Sequence, residues 1–568
     1  MLCPRPCPAP AFSASAFSAP AAVIPSPRFR PVSRTGLCLI SACLAWLAMA
    51  GLWSPELPAQ EQPLVDCDIR LQGGLIHDGS GGPPVLGDIA ITKGQIVAIG
   101  KFPVGRSGQT IDCRGLIIAP GFIDLHTHSD DSIVERRTRA NVNYLLQGCT
   151  TIVTGNCGSG PVDTAKFYRR IDEAGAGSNV CHLIPQGNLR SEVVGSQERP
   201  ATPEEIAKMK QLAEKAMQDG AWGMSTGLIY VPSSYANTDE LVEIASVVAA
   251  HHGFYASHIR GEGTGLLVAV QEALDIGRRA KLPVHVSHFK STGQEAWGLI
   301  RRAATLIEAA RQKGEKVTAD QYPYTASSTS LEATLIPTWA RAGTPADLLV
   351  RIDHAEQGPK IREAIQTSLE KAQNGQAIRI SRYASQPEWA GKSLAEIATA
   401  EKTTPLEIAI RITRGGGAGV VNFGMSEDDV RFAMQLPWVA TASDGRGYLP
   451  GADKPHPRSY GTFARKVGHY CYAEKHISME HAIRSSSALP AEILGLKDRG
   501  LLKSGFAADV IVFDPNTFRD TATFDEPHQY AVGMKYVFVN GTAAVLNGIP
   551  TGALAGRALK HNAPVPLP

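Results

Sequence analysis

The sequence predicts an α/β protein: a (β/α)8 barrel of the TIM type inserted in a small β-sandwich built from both chain ends, with a small insertion between barrel strands 7 and 8. Three observations carry this expectation. Strand-like runs punctuated by Gly (CDIRLQGGLIHDG, DIAITKGQIVAIG, TIDCRGLII) follow Gln62, and the same texture returns late in the chain in ADVIVFDP, KYVFVNGTAAVLNG and GRAL. Period-two alternation broken by Gly signals strands and hairpins. Between these ends, apolar runs alternate with amphipathic helical stretches: IIAPGFIDLH, CTTIVTGN, VCHLIP, WGMSTGL, GFYASH, PVHVSHF, KVTADQY and WVATASD. Runs of this kind, each finishing on polar or small residues, match parallel strands joined by helices. Finally, the seventh and eighth runs lie about 115 residues apart, far more than a βα loop requires.

In chain order the expected units are an export signal at 1–50, a linker at 51–63, the first part of the β-sandwich at 64–116, the barrel at 117–495 with its insertion at about 330–425, the second part of the β-sandwich at 496–560, and a tail at 561–568. One barrel helix is readable in detail. Thr202 is a good N-cap, Pro203 suits the first turn, and Glu204 and Glu205 favour the positive end of the dipole. Ile206, Met209, Ala213 and Met217 share one face, and Gly220 ends the helix.

Composition agrees with a globular enzyme-sized chain. Of 568 residues, 43% are hydrophobic and 19% charged, a normal apolar content that excludes disorder for most of the chain. The 56 Lys and Arg against 54 Asp and Glu leave a net charge of +2, which argues against nucleic acid as a partner, since phosphate binding needs clustered cations.

The N-terminal segment differs from the rest. Residues 1–34 contain Arg5, Arg28, Arg30 and Arg34 and no acid, an uncharged run follows from Leu37 to Leu52, and Ala48-Met49-Ala50 fits a small-residue cleavage site. This pattern predicts an exported, periplasmic or extracellular protein after signal cleavage. An uncleaved membrane anchor is the alternative, and it would be the chain's only contact with a membrane. Without residues 1–50 the net charge becomes −2 and six of the ten cysteines remain. Cys67 and Cys113 fall on expected β-sandwich strands and are disulfide candidates in an oxidising compartment.

The chemistry concentrates at the ends of the apolar runs. In Gly121-Phe122-Ile123-Asp124-Leu125-His126-Thr127-His128, residues two apart on a strand share a side, so His126 and His128 can face one ion. Cys157 follows TIVTGN, His258 closes FYASH, His288 closes PVHVSH, and Asp444 closes VATASD. The C-terminal strand ends of a barrel form its catalytic face. Four imidazoles, a thiol and a carboxylate converging there suit Zn²⁺ with an open position for water. Asp444 would then act as general base on that water and general acid toward a departing nitrogen. Gly261-Glu262-Gly263-Thr264-Gly265 lacks the spacing of a nucleotide loop. His251 and His252 read as a helix end, and His456 as a turn residue before Pro457.

These residues resemble the metal-dependent amidohydrolase superfamily and, more narrowly, the N-acyl-D-amino-acid deacylases or D-aminoacylases. The broad match rests on APGFIDLHTHSD, His258, His288 and the late SDG. The narrow one rests on GNCG at Gly155 to Gly158, GLIYVPSSYANTDEL at Gly227 to Leu241, ASHIRGEG at Ala256 to Gly263, HVSHFK at His285 to Lys290, DQYPYTASST at Asp320 to Thr329 and HPRSYGTF at His456 to Phe463. The resemblance spans residues 64–560. It implies that Cys157, His258 and His288 hold a tight zinc, that His126 and His128 stand beside a second, weaker metal position, and that Asp444 is the catalytic acid/base. The substrate it implies is an N-acylated D-amino acid, cleaved to a carboxylate and a free D-amino acid. Arg458 is the natural carboxylate clamp, because guanidinium meets carboxylate in a bidentate fork. By resemblance Tyr230, Tyr322 and Ser328 share that duty, with Ser327 the rival of Ser328, and Lys290 lines the pocket.

Two other readings stand beside this one. A cyclic-amide hydrolase of the hydantoinase or dihydroorotase type commonly uses a lysine carbamate; AWGMSTG offers no Lys, whereas GNCG offers a thiol. A non-catalytic binding relative should have lost ligands or the acid/base, and all six residues are present. No motif marks a side-chain preference or an oligomeric state.

Overall fold

The computed structural model describes residues 63–561. The expected export signal, nearly all of the linker and all but the first residue of the tail lie outside the described residues.

Both chain ends contribute to one nine-stranded sheet. The N-terminal side supplies β1 (Val65–Ile76), β2 (Val85–Thr92), β3 (Gln95–Gly100), β4 (Val104–Asp112) and β5 (Ile117–Pro120). Four strands come from the C-terminal side: β18 (Val510–Phe513), β19 (Met534–Val539), β20 (Thr542–Leu546) and β21 (Ile549–Pro550). The order is β21-β20-β19-β18-β5-β1-β2-β3, with β4 also on β1. The two ends meet where β5 pairs antiparallel with β18, Ile118 opposite Val512. β1 is long enough to pair with β4 along its first part and with β5 at Leu75 and Ile76, with a bulge between Leu71 and Gly74. A Cβ on Gly74 would lie 2.5 Å from Ile118 Cδ1, so the sheet can bend there only around a glycine. It curls over an apolar core that includes Leu71, Ile89, Ile91, Ile96, Ile118 and Phe538.

Cys67 and Cys113 are separate buried thiols. Cys67 pairs across the sheet with Ser107, whereas the Cys113 N–H donates to Gln72 O. Those positions are five residues apart along β1, about 16 Å, against the roughly 7 Å that a disulfide can span. The candidate disulfide is therefore not formed.

The barrel strands are β6 (Phe122–Asp124), β7 (Cys149–Thr154), β8 (Asn179–His182) continued by β9 (Ile184–Pro185), β10 (Gly223–Gly227), β11 (Phe254–His258), β12 (Val284–Val286), β13 (Val317–Gln321) and β17 (Val439–Thr441). Parallel pairing runs β6-β7-β8 and β9-β10-β11-β12-β13-β17. A parallel bridge between Thr127 and Gly445 closes the ring. Ile123, Val153, Leu183, Phe254 and Ala440 come from strands around the ring yet share one cluster with Leu489 and Leu494, so they fill its interior. The first run departs from the expected boundary: Ile117–Pro120 belongs to the terminal sheet, and the barrel starts at Phe122. Gly121 makes the break, and a Cβ there would lie 2.1 Å from Thr150 Oγ1.

The helix Pro203–Gln218 has Thr202 and Glu205 in a reciprocal capping box, buries Met209, Ala213, Ala216 and Met217, and is followed by Gly220 at φ +105°. His251 follows the helix Thr238–Ala250 and lies 2.8 Å from Glu214 Oε1, with no part in the rim. Between β13 and β17 stands an antiparallel sheet of β14 (Ser327–Ser330), β15 (Ile378–Arg382) and β16 (Gly419–Asn422), in the order β14-β16-β15. With its helices it has its own core, including Leu335, Ile361, Ile365, Ile380, Leu394 and Ile408. Among the described residues no helix is long and apolar enough to cross a membrane.

Candidate metal centre and active site

The strand ends bring the metal-type side chains together. His126 and His128 follow β6, Cys157 follows β7, His258 closes β11, His288 follows β12 and Asp444 follows β17. Cys157 Sγ lies 3.2 Å from His126 Nε2, 3.6 Å from His258 Nδ1 and 3.7 Å from His288 Nε2. Asp444 Oδ1 is 3.0 Å from His128 Nε2 and 3.5 Å from His126 Nε2. Three of these residues, Cys157 (φ 52°), His288 (φ 36°) and Asp444 (φ 51°), hold the left-handed backbone that non-glycine residues avoid.

Surrounding contacts impose those conformations. Asn156 Nδ2 donates to Leu125 O (3.2 Å) and Val153 O (3.0 Å), tying the cysteine turn to the end of β6. A Cβ on Gly155 would meet Leu183 O at 2.1 Å and one on Gly227 would meet Cys157 O at 2.2 Å, so GNCG and the end of β10 need glycine for close approach. The His288 N–H donates to Asp320 Oδ1 (2.5 Å). The Asp444 N–H donates to His126 O (2.8 Å), while Asp124 Oδ1 accepts from the N–H groups of His126 (3.1 Å) and Ser443 (3.0 Å). Asp124 thus joins the first and last barrel strands directly beneath the donors.

The electrostatics follow from this crowding. Burial opposes the Cys157 thiolate, yet His126 beside it, with hydrogen bonds from His126, His128 and His258, brings its pKa well below the ordinary thiol value. Burial likewise opposes the Asp444 carboxylate, and Arg458 and His126 overcome it, holding its pKa well below the usual range. Both shifts favour the anionic form, which metal ligation and base catalysis require.

The donor set fits zinc. For Zn–S of about 2.3 Å and Zn–N of about 2.0–2.1 Å, a tetrahedral site separates S from N by roughly 3.6 Å. The Cys157 to His258 and Cys157 to His288 separations are 3.6 and 3.7 Å, matching that value, while His258 Nδ1 and His288 Nε2 stand 2.8 Å apart, closer than the roughly 3.3 Å between two nitrogens of such a site. A second set, His126, His128 and Cys157, also falls within 4.8 Å, as does His126, His288 and Asp444. Cys157 is common to the first two sets.

A cavity of ≈ 990 Å³ opens above the rim, walled on one side by His128, Cys157, His258 and His288 and on the other by Ser327 to Ser330 of β14. Arg458, Tyr230, Lys290, Tyr322 and Ser328 all line it. Several are less free than the sequence implied. Arg458 Nη1 is 2.7 Å from Asp444 Oδ2, so the expected clamp and the expected acid/base form an ion pair. Lys290 Nζ lies 2.5 Å from Glu262 Oε1 and 2.8 Å from His288 Nδ1. The Ser328 hydroxyl donates to Val420 O (2.8 Å) within its own sheet, while its carbonyl accepts from Arg458 Nη2 (3.3 Å). The Tyr322 hydroxyl turns toward Met425 Sδ (3.9 Å), and its ring forms a platform for the Arg458 guanidinium at 4.9 Å. Tyr230 places its ring 5.1 Å from His258 and its hydroxyl 3.0 Å from Thr329 Oγ1.

Two residues escaped the sequence reading, Asp320 and Glu262, and a third, His456, reads from sequence as a turn residue beside Arg458 within reach of the pocket. Buried Asp320, on β13, contacts His285 Nε2 (2.8 Å), His126 Nδ1 (3.5 Å) and the His288 N–H. Glu262 reaches His288 Nδ1 at 2.9 Å. His456 is buried, accepts the Arg458 N–H (3.0 Å) and lines the cavity. Carboxylates behind the histidines fix the ring orientation and keep the other nitrogen free for metal. Asp320 was findable, because it ends an apolar run as Asp444 does.

A closed parallel barrel that gathers a thiolate, imidazoles and a carboxylate on its C-terminal rim defines the class of metal-centred barrel hydrolases. The chain belongs to the amidohydrolase family, whose model matches residues 109–545. It is 35% identical to a D-aminoacylase of Alcaligenes xylosoxydans xylosoxydans over 87% of this chain and 98% of that protein. An N-acyl-D-glutamate deacylase from the same organism is 34% identical over 88% of this chain and 97% of that one. Among solved structures, the N-acyl-D-glutamate deacylase of Bordetella bronchiseptica, complexed with zinc and a phosphonate mimic of the tetrahedral intermediate, matches with a TM-score of 0.75 and 32% identity, covering 87% of this chain and 100% of that chain.

Proposed function

We propose that the protein is a zinc-dependent deacylase that hydrolyses the amide bond of N-acyl-D-amino acids to a carboxylate and a free D-amino acid. The observation that carries this reading is the position of Cys157, held by Gly155 and Gly227 at the centre of the histidines with Asp444 alongside. Zinc, when bound by Cys157, His258 and His288, supplies Lewis acidity to the amide carbonyl and lowers the pKa of water toward about 7. Asp444 receives the proton of the attacking water at Oδ1, the oxygen nearest the histidines. The new C–O bond forms as the water gives up that proton, and Asp444 returns it to the nitrogen as the C–N bond breaks. Arg458 fixes Asp444 through Oδ2 and keeps Oδ1 aimed at the donors. Its guanidinium has further N–H groups for the substrate carboxylate, and the Tyr322 ring sets its plane.

The D preference is supported by the names of the relatives, and export by the sequence of residues 1–50. A D-hydantoinase structure matches with a TM-score of 0.54 at 15% identity over 87% of this chain and 99% of that one, a likeness of fold alone. The test is a hydrolysis screen of N-acetyl-D- and N-acetyl-L-amino acids with added Zn²⁺. Turnover of the D series is expected; exclusive or equal turnover of the L series would overturn the assignment.

A further inference from the structure

One buried amine has no part in the chemistry of the rim. Lys466 starts the helical segment Lys466–Ala473, which continues the helix Arg458–Arg465, and its side chain is buried. Its Nζ donates to Thr441 Oγ1 (2.7 Å), on the last residue of β17, and to Ser485 Oγ (2.8 Å), just past the helix Met479–Arg484. Among the described residues no carboxylate lies within 4.0 Å of Nζ, and no third acceptor is within hydrogen-bond reach.

Every hydroxyl proton around this amine is committed elsewhere. The Ser485 hydroxyl donates to His481 O (2.6 Å) and the Ser486 hydroxyl to Ala482 O (2.8 Å). Ser486 Oγ is 2.9 Å from Thr441 Oγ1 and, with its own proton engaged, accepts the proton of Thr441. Both oxygens facing Nζ therefore act as acceptors, matching the two N–H donors of a neutral amine; an ammonium has three. A charged lysine would bury a spare donor and an unpaired charge beside helices that pack Phe463, Val467 and Ile483 into the core. Burial accordingly pushes Lys466 down to about 7, with Cys471 opposing the shift. The titratable neighbours supply no counter-charge, since burial pushes the Cys471 thiol up to about 11 and His481 down to about 4. β17 brings no titratable side chain. On the helix Met479–Arg484, Glu480 lies 4.0 Å from His77 and Arg484 2.9 Å from Glu492; along its own segment, Arg465 pairs with Asp520 and His469 with Glu474.

We propose that Lys466 is a positioning residue that works uncharged: as a neutral amine it latches the strand leading to Asp444 onto the helix that begins at Arg458, and its protonation releases that latch. The two elements it joins carry the two halves of the Arg458–Asp444 ion pair, 2.7 Å apart. The Thr441 N–H also donates to Ser485 O (2.7 Å), so strand, helix and Ser485 meet at one point three residues before Asp444. The latch is a property of the fold, and its effect on turnover rests on the deacylase reading. A lysine that is cationic in the unfolded chain and neutral in the fold loses a proton on folding. This site therefore favours the folded state increasingly as pH rises from about 7 toward the ordinary lysine value of 10.5.

The experiment measures urea unfolding of the full zinc-loaded chain at about pH 7 and about pH 9.5 for wild type, Lys466→Met and Lys466→Arg. The wild-type midpoint is expected to rise between the two pH values by more than that of Lys466→Met, which has no proton to lose. Lys466→Arg, charged at both, should lie below wild type throughout, and further below at the higher pH. Parallel rises in wild type and Lys466→Met would overturn the inference, as would a Lys466→Arg chain as stable as wild type. In steady-state hydrolysis of an N-acetyl-D-amino acid, Lys466→Arg should lower kcat by about tenfold or more, and Lys466→Met by less, because displacement of the Arg458–Asp444 pair is felt at the reacting atoms. An arginine variant with wild-type kcat would overturn the positioning role. A wild-type chain that hydrolyses no N-acyl-D-amino acid would instead overturn the deacylase reading, and the latch would stand or fall on the unfolding comparison.

Discussion

The rim of the barrel and the terminal sheet solve opposite problems with the same chain. In the terminal sheet, left-handed backbone falls in turns such as Gly94, Asn540, Gly541 and Asn547, and the core is built from Ile, Leu, Val and Phe. At the rim, the same conformation falls on Cys157, His288 and Asp444, all buried, and the packing partners are carboxylates and imidazoles. Each such residue costs on the order of 1–3 kcal/mol and persists only when its surroundings dictate it. The comparison teaches where stability is spent on chemistry: the sheet is arranged to be stable, and the rim is held in an arrangement it would not choose alone.

The largest break in that contrast should come from Cys157→Ala. It is expected to remove the tightly held zinc, read as metal content after dialysis, and turnover with it. Next, Asp444→Asn should reduce kcat by about 10³-fold while zinc content stays at the wild-type level, because the amide keeps the shape and loses the base. Asp320→Asn touches no substrate; it should weaken zinc affinity by about 10- to 100-fold in chelator competition by loosening His126 and His288. The smallest effect sharpens the comparison from the other side. Ile89→Val in the terminal sheet should cost about 1 kcal/mol in urea unfolding and leave zinc affinity unchanged. Were Ile89→Val to alter metal binding, the two regions would not be separable in this way.

How much of this was legible in the sequence depended on whether a signal was local. The barrel runs were legible because a buried parallel strand is a continuous apolar stretch, and its last residue names the chemistry of the rim. The break at Gly121 was not, because a strand leaving one sheet for another keeps its apolar character, and only the approach of Thr150 reveals the need for glycine. Glu262 was passed over as part of a Gly-rich loop, since its relation to His288 and Lys290 exists only after folding. The pairing of Arg458 with Asp444 was hidden for the same reason: both residues were read as free groups, and the distance between them cancels part of that freedom. Cys67 and Cys113 mislead in the opposite direction. Two cysteines on expected strands of one β-sandwich suggest a bridge until the fold sets them apart, Cys67 within β1 and Cys113 just after β4.

The seam between the first and last barrel strands has a consequence in time. His128 and Asp444, 316 residues apart in sequence, come into contact only when that seam closes. At about 5–20 residues per second, synthesis separates them by roughly 15 to 60 s. A growing chain therefore passes through a long interval in which the histidines exist without their acid, and β5 waits still longer for β18. Hydrolytic competence arrives in one late event, when the last strand docks, so a chain cut short before Asp444 lacks both the seam and the proton carrier of the proposed reaction.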